Sequence, residues 1–295
     1  MAEAPAPSLE PAPLGFEDAE GLLALCRALD WPHTQADWRT ILSSGLVYGL
    51  RRGDDGPGAA VDACAALFPY GPRCAALGMV MTAPDRQRRG LGRAVVSRCL
   101  AARPSDAVAV YLATTPQGRG LYDALGFRAV GALTKLMAQG PLAEGEQAAA
   151  WSVSDAIATA DLVSVLRLDR AAFGAPRDGF LKHRLSQAER AAVARDADGR
   201  IVGYGLAVRQ GPLLILGPIA AAADGAALAL VRRLAADFAG PLRIDVPAAR
   251  DGFCDALQAL GFEVADRPPI LALGADAPPA GGWPGYAAIA AQAFL

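Results

Sequence analysis

Apolar positions recur at helical spacing at Leu22, Leu25, Cys26 and Leu29, then at Trp38, Ile41 and Leu42. Thr34 to Asp37 reads as a capping-box variant that opens the second of these helices. Denser apolar runs predict strands at Leu46–Leu50, Val61–Phe68 and Cys74–Thr82. The Gly-Asp-Asp-Gly-Pro-Gly run from Gly53 to Gly58 is a turn, and Gly71-Pro72 separates the last two strands. A helix over Leu91–Ala101, a strand over Val108–Ala113, a short helix ending at Leu125 and a strand from Phe127 follow, with Gly126 in the place of a C-cap glycine. Near Gly140–Glu146 the pattern lapses, which marks a linker.

The order then repeats. Helices are predicted at Ala160–Ala172 and around Phe180–Leu185, and strands at Ala191–Arg195, Ile201–Val208 and Leu213–Leu216. A helix over Ala226–Ala239, a strand over Leu242–Val246, a helix to Leu260 and a strand from Phe262 complete the second half. Leu-Gly-Phe stands at 125–127 and returns 135 residues later at 260–262. Matched element order around that tripeptide predicts two copies of one α/β unit. The expected division is a disordered lead-in over 1–13, a first domain over 14–140, a linker over 141–150 and a second domain over 151–295.

Composition narrows the classes. The chain has 295 residues, 53% of them hydrophobic, which excludes disorder for its bulk. Lysine plus arginine number 28 against 30 aspartates and glutamates, so no global field exists for nucleic acid. The five cysteines (Cys26, Cys64, Cys74, Cys99, Cys254) are scattered and form no CxxC pair, which predicts buried, reduced thiols in a cytoplasmic protein. Two histidines and no clustered ligands predict no metal site. No apolar run is long enough to span a membrane, and the first residues lack the basic and apolar regions of a signal peptide.

Chemistry concentrates between Leu77 and Val95: an apolar strand, a short loop, and a glycine-bearing entry into a helix. Such an entry exposes unpaired backbone N–H groups at the positive end of a helix dipole. Gly90 and Gly92 let a phosphate approach the backbone, and Arg88, Arg89 and Arg93 add charge, so a pyrophosphate fits. A Walker loop is absent, and Val95 occupies the third glycine position of a dinucleotide fingerprint.

The run from Pro84 through Gln87 and Gly90 to Gly92 resembles the acetyl-coenzyme A signature of the GNAT N-acetyltransferase superfamily. Leu121-Tyr122-Asp123-Ala124-Leu125-Gly126-Phe127 is similar to that family's second block, and Trp31–Trp38 to its wider pattern. The second half resembles the degenerate C-terminal domain of tandem members through Asp169–Arg177, Gly217-Pro218 and Ile244–Pro247. The resemblance implies an α/β fold of two tandem domains, each a mixed, mostly antiparallel sheet flanked by helices. It implies acetyl transfer from acetyl-CoA, as donor substrate, to the amine of a small molecule or peptide. No metal, nucleic acid or membrane takes part, and the chain works as a monomer or homodimer. By resemblance, the backbone of Val80, Met81 and Thr82 pairs with the pantetheine arm like an added strand. Gln87, Arg88, Arg89, Gly90, Leu91, Gly92 and Arg93 bind the pyrophosphate, and Tyr122 holds the thiol and protonates the leaving thiolate. Thr115 counts by resemblance among the coenzyme-binding residues, although it stands where many members have asparagine, and Gly118 stands where many have alanine.

No residue stands out as general base: Cys74–Thr82 holds no Asp or Glu, Asp62 lies on the preceding strand, and His33 near the first helices. The second copy lacks the paired glycines, and Leu257 stands where Tyr122 does in the first, so it is expected not to catalyse. Trp31, Trp38, Phe173, Arg177 and Asp245 are candidates for lining an acceptor pocket, with core packing as the alternative. A non-catalytic acetyl-CoA-binding sensor or scaffold is the competing function.

Overall fold

The computed structural model describes residues 10–53, 58–142, 151–279, 283 and 285–295. The expected turn at Gly53–Gly58 and the linker over 141–150 therefore lie largely outside the described residues. The chain divides into two compact units, Met1–Phe68 with Leu77–Arg103, and Pro69–Ala76 with Pro104–Leu295.

In the first unit, β1 (Ala12–Pro13) pairs with β2 (Leu46–Arg51), which pairs antiparallel with β3 (Val61–Tyr70). The described end of the expected lead-in is already strand: Ala12 lies opposite Gly49 and Pro13 opposite Tyr48. Proline suits this outer position, because an edge strand can spare one N–H. α1 (Ala19–Ala28) and α2 (Gln35–Ser44) bury Leu22, Leu25 and Cys26 and Trp38 and Ile41 respectively, as their periodicity predicts. The capping box at Thr34 is formed, with the Thr34 N–H donating to Asp37 Oδ2 at 2.7 Å and the Asp37 N–H donating to Thr34 Oγ1 at 3.2 Å. β4 (Cys74–Thr82) enters this unit at Leu77 and leads to α3 (Leu91–Ala101).

The second unit holds β5 (Ala109–Ala113), α4 (Pro116–Ala124) and β6 (Arg128–Gln139). β7 (Ser152–Ser154), α5 (Leu162–Phe173), α6 (Asp178–Gln187), β8 (Arg190–Arg195), β9 (Ile201–Gln210) and β10 (Leu213–Ala221) follow. The chain continues through α7 (Asp224–Ala235), β11 (Pro241–Pro247), α8 (Asp251–Ala259), β12 (Glu263–Asp266), β13 (Pro269–Leu273) and β14 (Tyr286–Ala288). α7 stops short of the predicted Ala239: the backbone leaves the helix at Ala236, with ψ of 136°, and Asp237 follows with a left-handed φ of 57°. The sheet is mixed: β10–β11 and the start of β4 with β5 are parallel, and the remaining described pairs are antiparallel.

The sheet order in this unit is β5–β13–β6–β11–β10–β9–β8–β7. Each copy has therefore given one strand, β6 or β13, to the other. β13, from the second copy, pairs with β5 through Ile270↔Ala113, Leu271↔Leu112, Ala272↔Tyr111 and Leu273↔Val110. β6, from the first copy, pairs with β11 through Lys135↔Asp245, Leu136↔Ile244, Met137↔Arg243 and Ala138↔Leu242. Adding 135 to the β6 numbers and subtracting 132 from the β11 numbers turns the second set into the first. The exchange is reciprocal and in the same register. Its interior residues Leu112, Leu136, Ile244 and Leu271 are buried.

The compact units consequently do not follow the expected halves at 14–140 and 151–295: β13 is held between β5 and β6, so strand pairing crosses the linker twice. Separating the halves would bare one edge of β5 and one of β11, and bare edges associate with whatever strand is available. When residues 1–142 and 151–295 are expressed as separate chains, we expect them to co-elute as one complex if made together and to aggregate if made alone. Size-exclusion chromatography checks this. A monodisperse, folded fragment on its own would contradict the exchange.

Candidate active site

β4 carries an interruption. Met79, only 2% exposed, has φ of 52°, and its carbonyl accepts a hydrogen bond from the Cys64 thiol at 3.4 Å. Left-handed geometry is uncommon for a side chain of this size and is held by its surroundings, often at functional sites. Beyond it, Val80, Met81 and Thr82 resume the strand. The Gln87 side-chain amide donates to the Thr82 carbonyl at 3.5 Å, which ties the loop to the strand end.

The loop then takes two left-handed residues, Arg88 at φ 61° and Gly90 at φ 82°, the second being the N-cap of α3. No side chain caps this helix and no acidic residue lies in its first turn; α5 shares both features, while α2 and α4 are capped by Thr34 and Thr115. The amides at the start of α3 are thus left for an external acceptor. Arg88, Arg89 and Arg93 are exposed, and none of them pairs with a carboxylate among the described residues. Nearby arginines behave differently: Arg52 binds Asp62 at 2.7 Å and Asp85 at 3.3 Å, and Arg86 lies 3.7 Å from Asp62. Three unpaired guanidiniums around an uncapped helix start suit a multiply charged anion.

Two sequence-predicted site residues lie in the other unit, on α4. Thr115 is its N-cap, with Oγ1 accepting from the Gly118 N–H at 3.4 Å, so its side chain already has a structural task. Tyr122 is 7% exposed and meets Phe127 edge-on at 5.7 Å between ring centroids. Burial pushes its phenol up to about 12, and no hydrogen bond or charge offsets that among the described residues. Gly118 makes room for the ring: a Cβ there would stand 3.3 Å from Tyr122 Cε2 and 2.9 Å from Thr114 Oγ1.

The base candidates separate. Asp62 is engaged by Arg52 and Arg86, which makes it an anchor of the loop. His33 stacks with Trp31 at 5.6 Å, and Trp31 is among the exposed large hydrophobic residues. Trp38, Phe173, Arg177 and Asp245 are buried at 0–3% exposure and belong to the core. Arg177 donates to both oxygens of Asp169 at 2.9 and 2.7 Å and lies over the Phe173 ring at 4.1 Å. Burial opposes its charge, but Asp169 outweighs that and keeps the guanidinium protonated. An arginine motif reads as a surface feature in sequence, and only its aspartate eight residues earlier hints otherwise.

The second copy repeats the frame without the chemistry. β10 is also interrupted, with a register shift between Leu216 and Ile219 around Gly217-Pro218. α7 starts at Asp224, which puts a carboxylate in the first turn, ion-paired to Arg250. The first turn of this helix thus carries an acid where that of α3 carries none. Buried Leu257 stands in α8 where Tyr122 stands in α4.

Fold, repeat and strand–loop–helix unit define an acyltransferase of tandem build. Comparison with known proteins agrees. The family described as "Acetyltransferase (GNAT) domain" matches residues 165–282, and the FR47-like family matches 47–137. The chain is 32% identical over 260 residues to the uncharacterized N-acetyltransferase YitH of Bacillus subtilis (strain 168), covering 86% of this chain and 88% of that protein. A candidate acetyltransferase from Pyrococcus horikoshii superposes with a TM-score of 0.78 at 17% identity, over 100% of this chain and 99% of the other. A tandem GNAT protein from the clavulanic acid biosynthesis pathway gives 0.66 at 19%, over 90% and 98%. The chain belongs to the GNAT N-acetyltransferase family and is an acyltransferase.

Gly90 tests the loop. No atom lies within 4 Å of a Cβ built there, so a substitution acts through the backbone at φ 82° rather than by collision. Gly90→Val should weaken acetyl-CoA binding by at least tenfold, about 1.4 kcal/mol, because a β-branched residue resists that conformation. Gly90→Asn should lose far less, since asparagine tolerates it. Calorimetry on folded protein decides, and unchanged affinity in the valine variant would refute the loop assignment.

Proposed function

We propose that the protein moves the acetyl group of acetyl-CoA to the amine of a small molecule or peptide by direct attack, using the first copy alone. The observation that carries this reading is the uncapped start of α3 with left-handed Gly90 and the unpaired Arg88, Arg89 and Arg93. Gln87 through Arg93 hold the pyrophosphate, and the backbone of Val80, Met81 and Thr82 pairs with the pantetheine amides. Thr115 acts on the coenzyme through the helix start it caps, not through its own hydroxyl.

In the chemical step the neutral amine attacks the thioester carbonyl, forming the C–N bond. The C–S bond then breaks, the thiolate takes the Tyr122 proton, and solvent restores that proton. The nitrogen gives up its own proton to water. The Tyr122 phenol, raised to about 12 by burial, stays protonated through the working pH range, so the hydroxyl is present to donate to the departing sulfur. The described cysteines are buried and free, and burial raises each thiol, which argues against a covalent acetyl-cysteine route. Free thiols also fit a reducing, cytoplasmic setting, and no helix among the described residues is long and apolar enough to cross a membrane. The exchange of strands within one chain favours a monomer as the working form.

Acetyl-CoA-dependent thiol release across amino acids, polyamines, antibiotic amines and peptide N-termini tests the function. Turnover with one class supports it, and coenzyme binding without turnover on any would favour a sensor instead. Tyr122→Phe tests the acid: it keeps the ring against Phe127 and removes only the hydroxyl. A thiol is already a good leaving group, so kcat should fall by roughly 10- to 100-fold with acetyl-CoA affinity nearly unchanged. Normal turnover in a variant with an unaltered melting temperature would contradict the role.

A further inference from the structure

We infer that the second copy carries its own occupant: the segment around β14 lies on β10 as the pantetheine arm is proposed to lie on β4. The inference rests on the coenzyme reading of Val80–Thr82. The strand pairings of the two copies correspond residue by residue. β4 pairs in parallel with β5 through Ala75↔Val110 and Ala76↔Tyr111, and β10 with β11 through Leu214↔Leu242 and Ile215↔Arg243. The strands of each set are 139 and 132 residues apart, and both central strands are interrupted shortly afterwards, at Gly78-Met79 and Gly217-Pro218. On that spacing, Val80, Met81 and Thr82 correspond to Ile219, Ala220 and Ala221.

Those counterparts are already paired. Ile219 lies opposite Ala288 and Ala220 opposite Tyr286, and the Ala221 N–H donates to the Gly285 carbonyl at 3.0 Å. On the far side the Ile289 N–H donates to the Asp245 carbonyl of β11 at 3.0 Å. β14 and the residues after it are thus wedged between β10 and β11, where these two parallel strands have parted. The fit is close. A Cβ on Gly217 would stand 2.0 Å from the Ile289 carbonyl oxygen, and residues 286–290 are at most 1% exposed.

A peptide suits this place for the reason pantetheine suits the other: both are extended chains with amides spaced along an apolar thread. The tail is also fastened along its length. Tyr286 Oη accepts from Arg177 at 2.8 Å, the Ala290 carbonyl from Arg184 at 2.9 Å, and Gln292 donates to Asp245 at 2.9 Å. Because the tail is covalently attached, its effective concentration exceeds that of any free coenzyme. The second copy therefore keeps the acceptor strand of a coenzyme site and uses it to bind its own chain.

Hydrogen exchange on the full-length protein, with and without acetyl-CoA, tests this. Amides in the peptide covering Val80–Thr82 should exchange quickly in the free protein and slow at least tenfold when acetyl-CoA is added. Amides covering Ile219–Ala221 should be slow in both states, with no change on addition. Fast exchange at Ile219–Ala221 in the free protein, or slowing there with acetyl-CoA, would overturn the inference. Slow exchange at Ile219–Ala221 with no response at Val80–Thr82 would instead overturn the coenzyme reading, and the likeness between tail and pantetheine with it.

Discussion

The reciprocal pairing of β13 with β5 and of β6 with β11 is the constraint on which the rest of the structure depends. Each of the parallel strands β5 and β11 has one neighbour from its own copy and one from the other. A parallel strand in the middle of a sheet needs both edges satisfied. Neither copy supplies the second edge for itself. The linker therefore joins two sequences whose sheet edges are completed by each other.

That division of labour explains how the copies diverged. Both keep a central strand interrupted at corresponding positions, Gly78-Met79 and Gly217-Pro218, and both follow it with a helix. In the first, a left-handed glycine and free guanidiniums leave the helix start open to an anion. In the second, Asp224 puts an acid in the first turn of the helix, β14 fills the strand edge, and Leu257 stands in place of the tyrosine. Beneath them, the Asp169–Arg177 pair ties α5 to the tail, since Arg177 also donates to the Leu295 carbonyl at 3.0 Å. Such a pair costs desolvation and returns it only with full hydrogen bonding, which the hydroxyls of Tyr204 and Tyr286 complete.

What was legible in sequence was local. The limits of α3, the Thr34 cap and the left-handed Gly126 follow from periodicity and turn chemistry within a few residues. So does the loop, because glycine and arginine at fixed spacing state their own physics. The exchange was not legible, because periodicity shows that β6 and β13 are strands and says nothing of which edge they join. β1 and β14 were missed for another reason: two or three residues, rich in proline or alanine, carry no alternation to detect. Left-handed Met79 was equally hidden, since its conformation is imposed by packing and not by its own preference.

The central claim is that one of two copies with matching strand pairings holds the coenzyme and the other is closed by its own chain. The stoichiometry of acetyl-CoA binding to the intact protein, measured by isothermal titration calorimetry with the active concentration fixed independently, tests it most directly. The account predicts one equivalent per chain in a single transition. Two equivalents would show that the second copy is open, and none would show that the loop before α3 is not a coenzyme site.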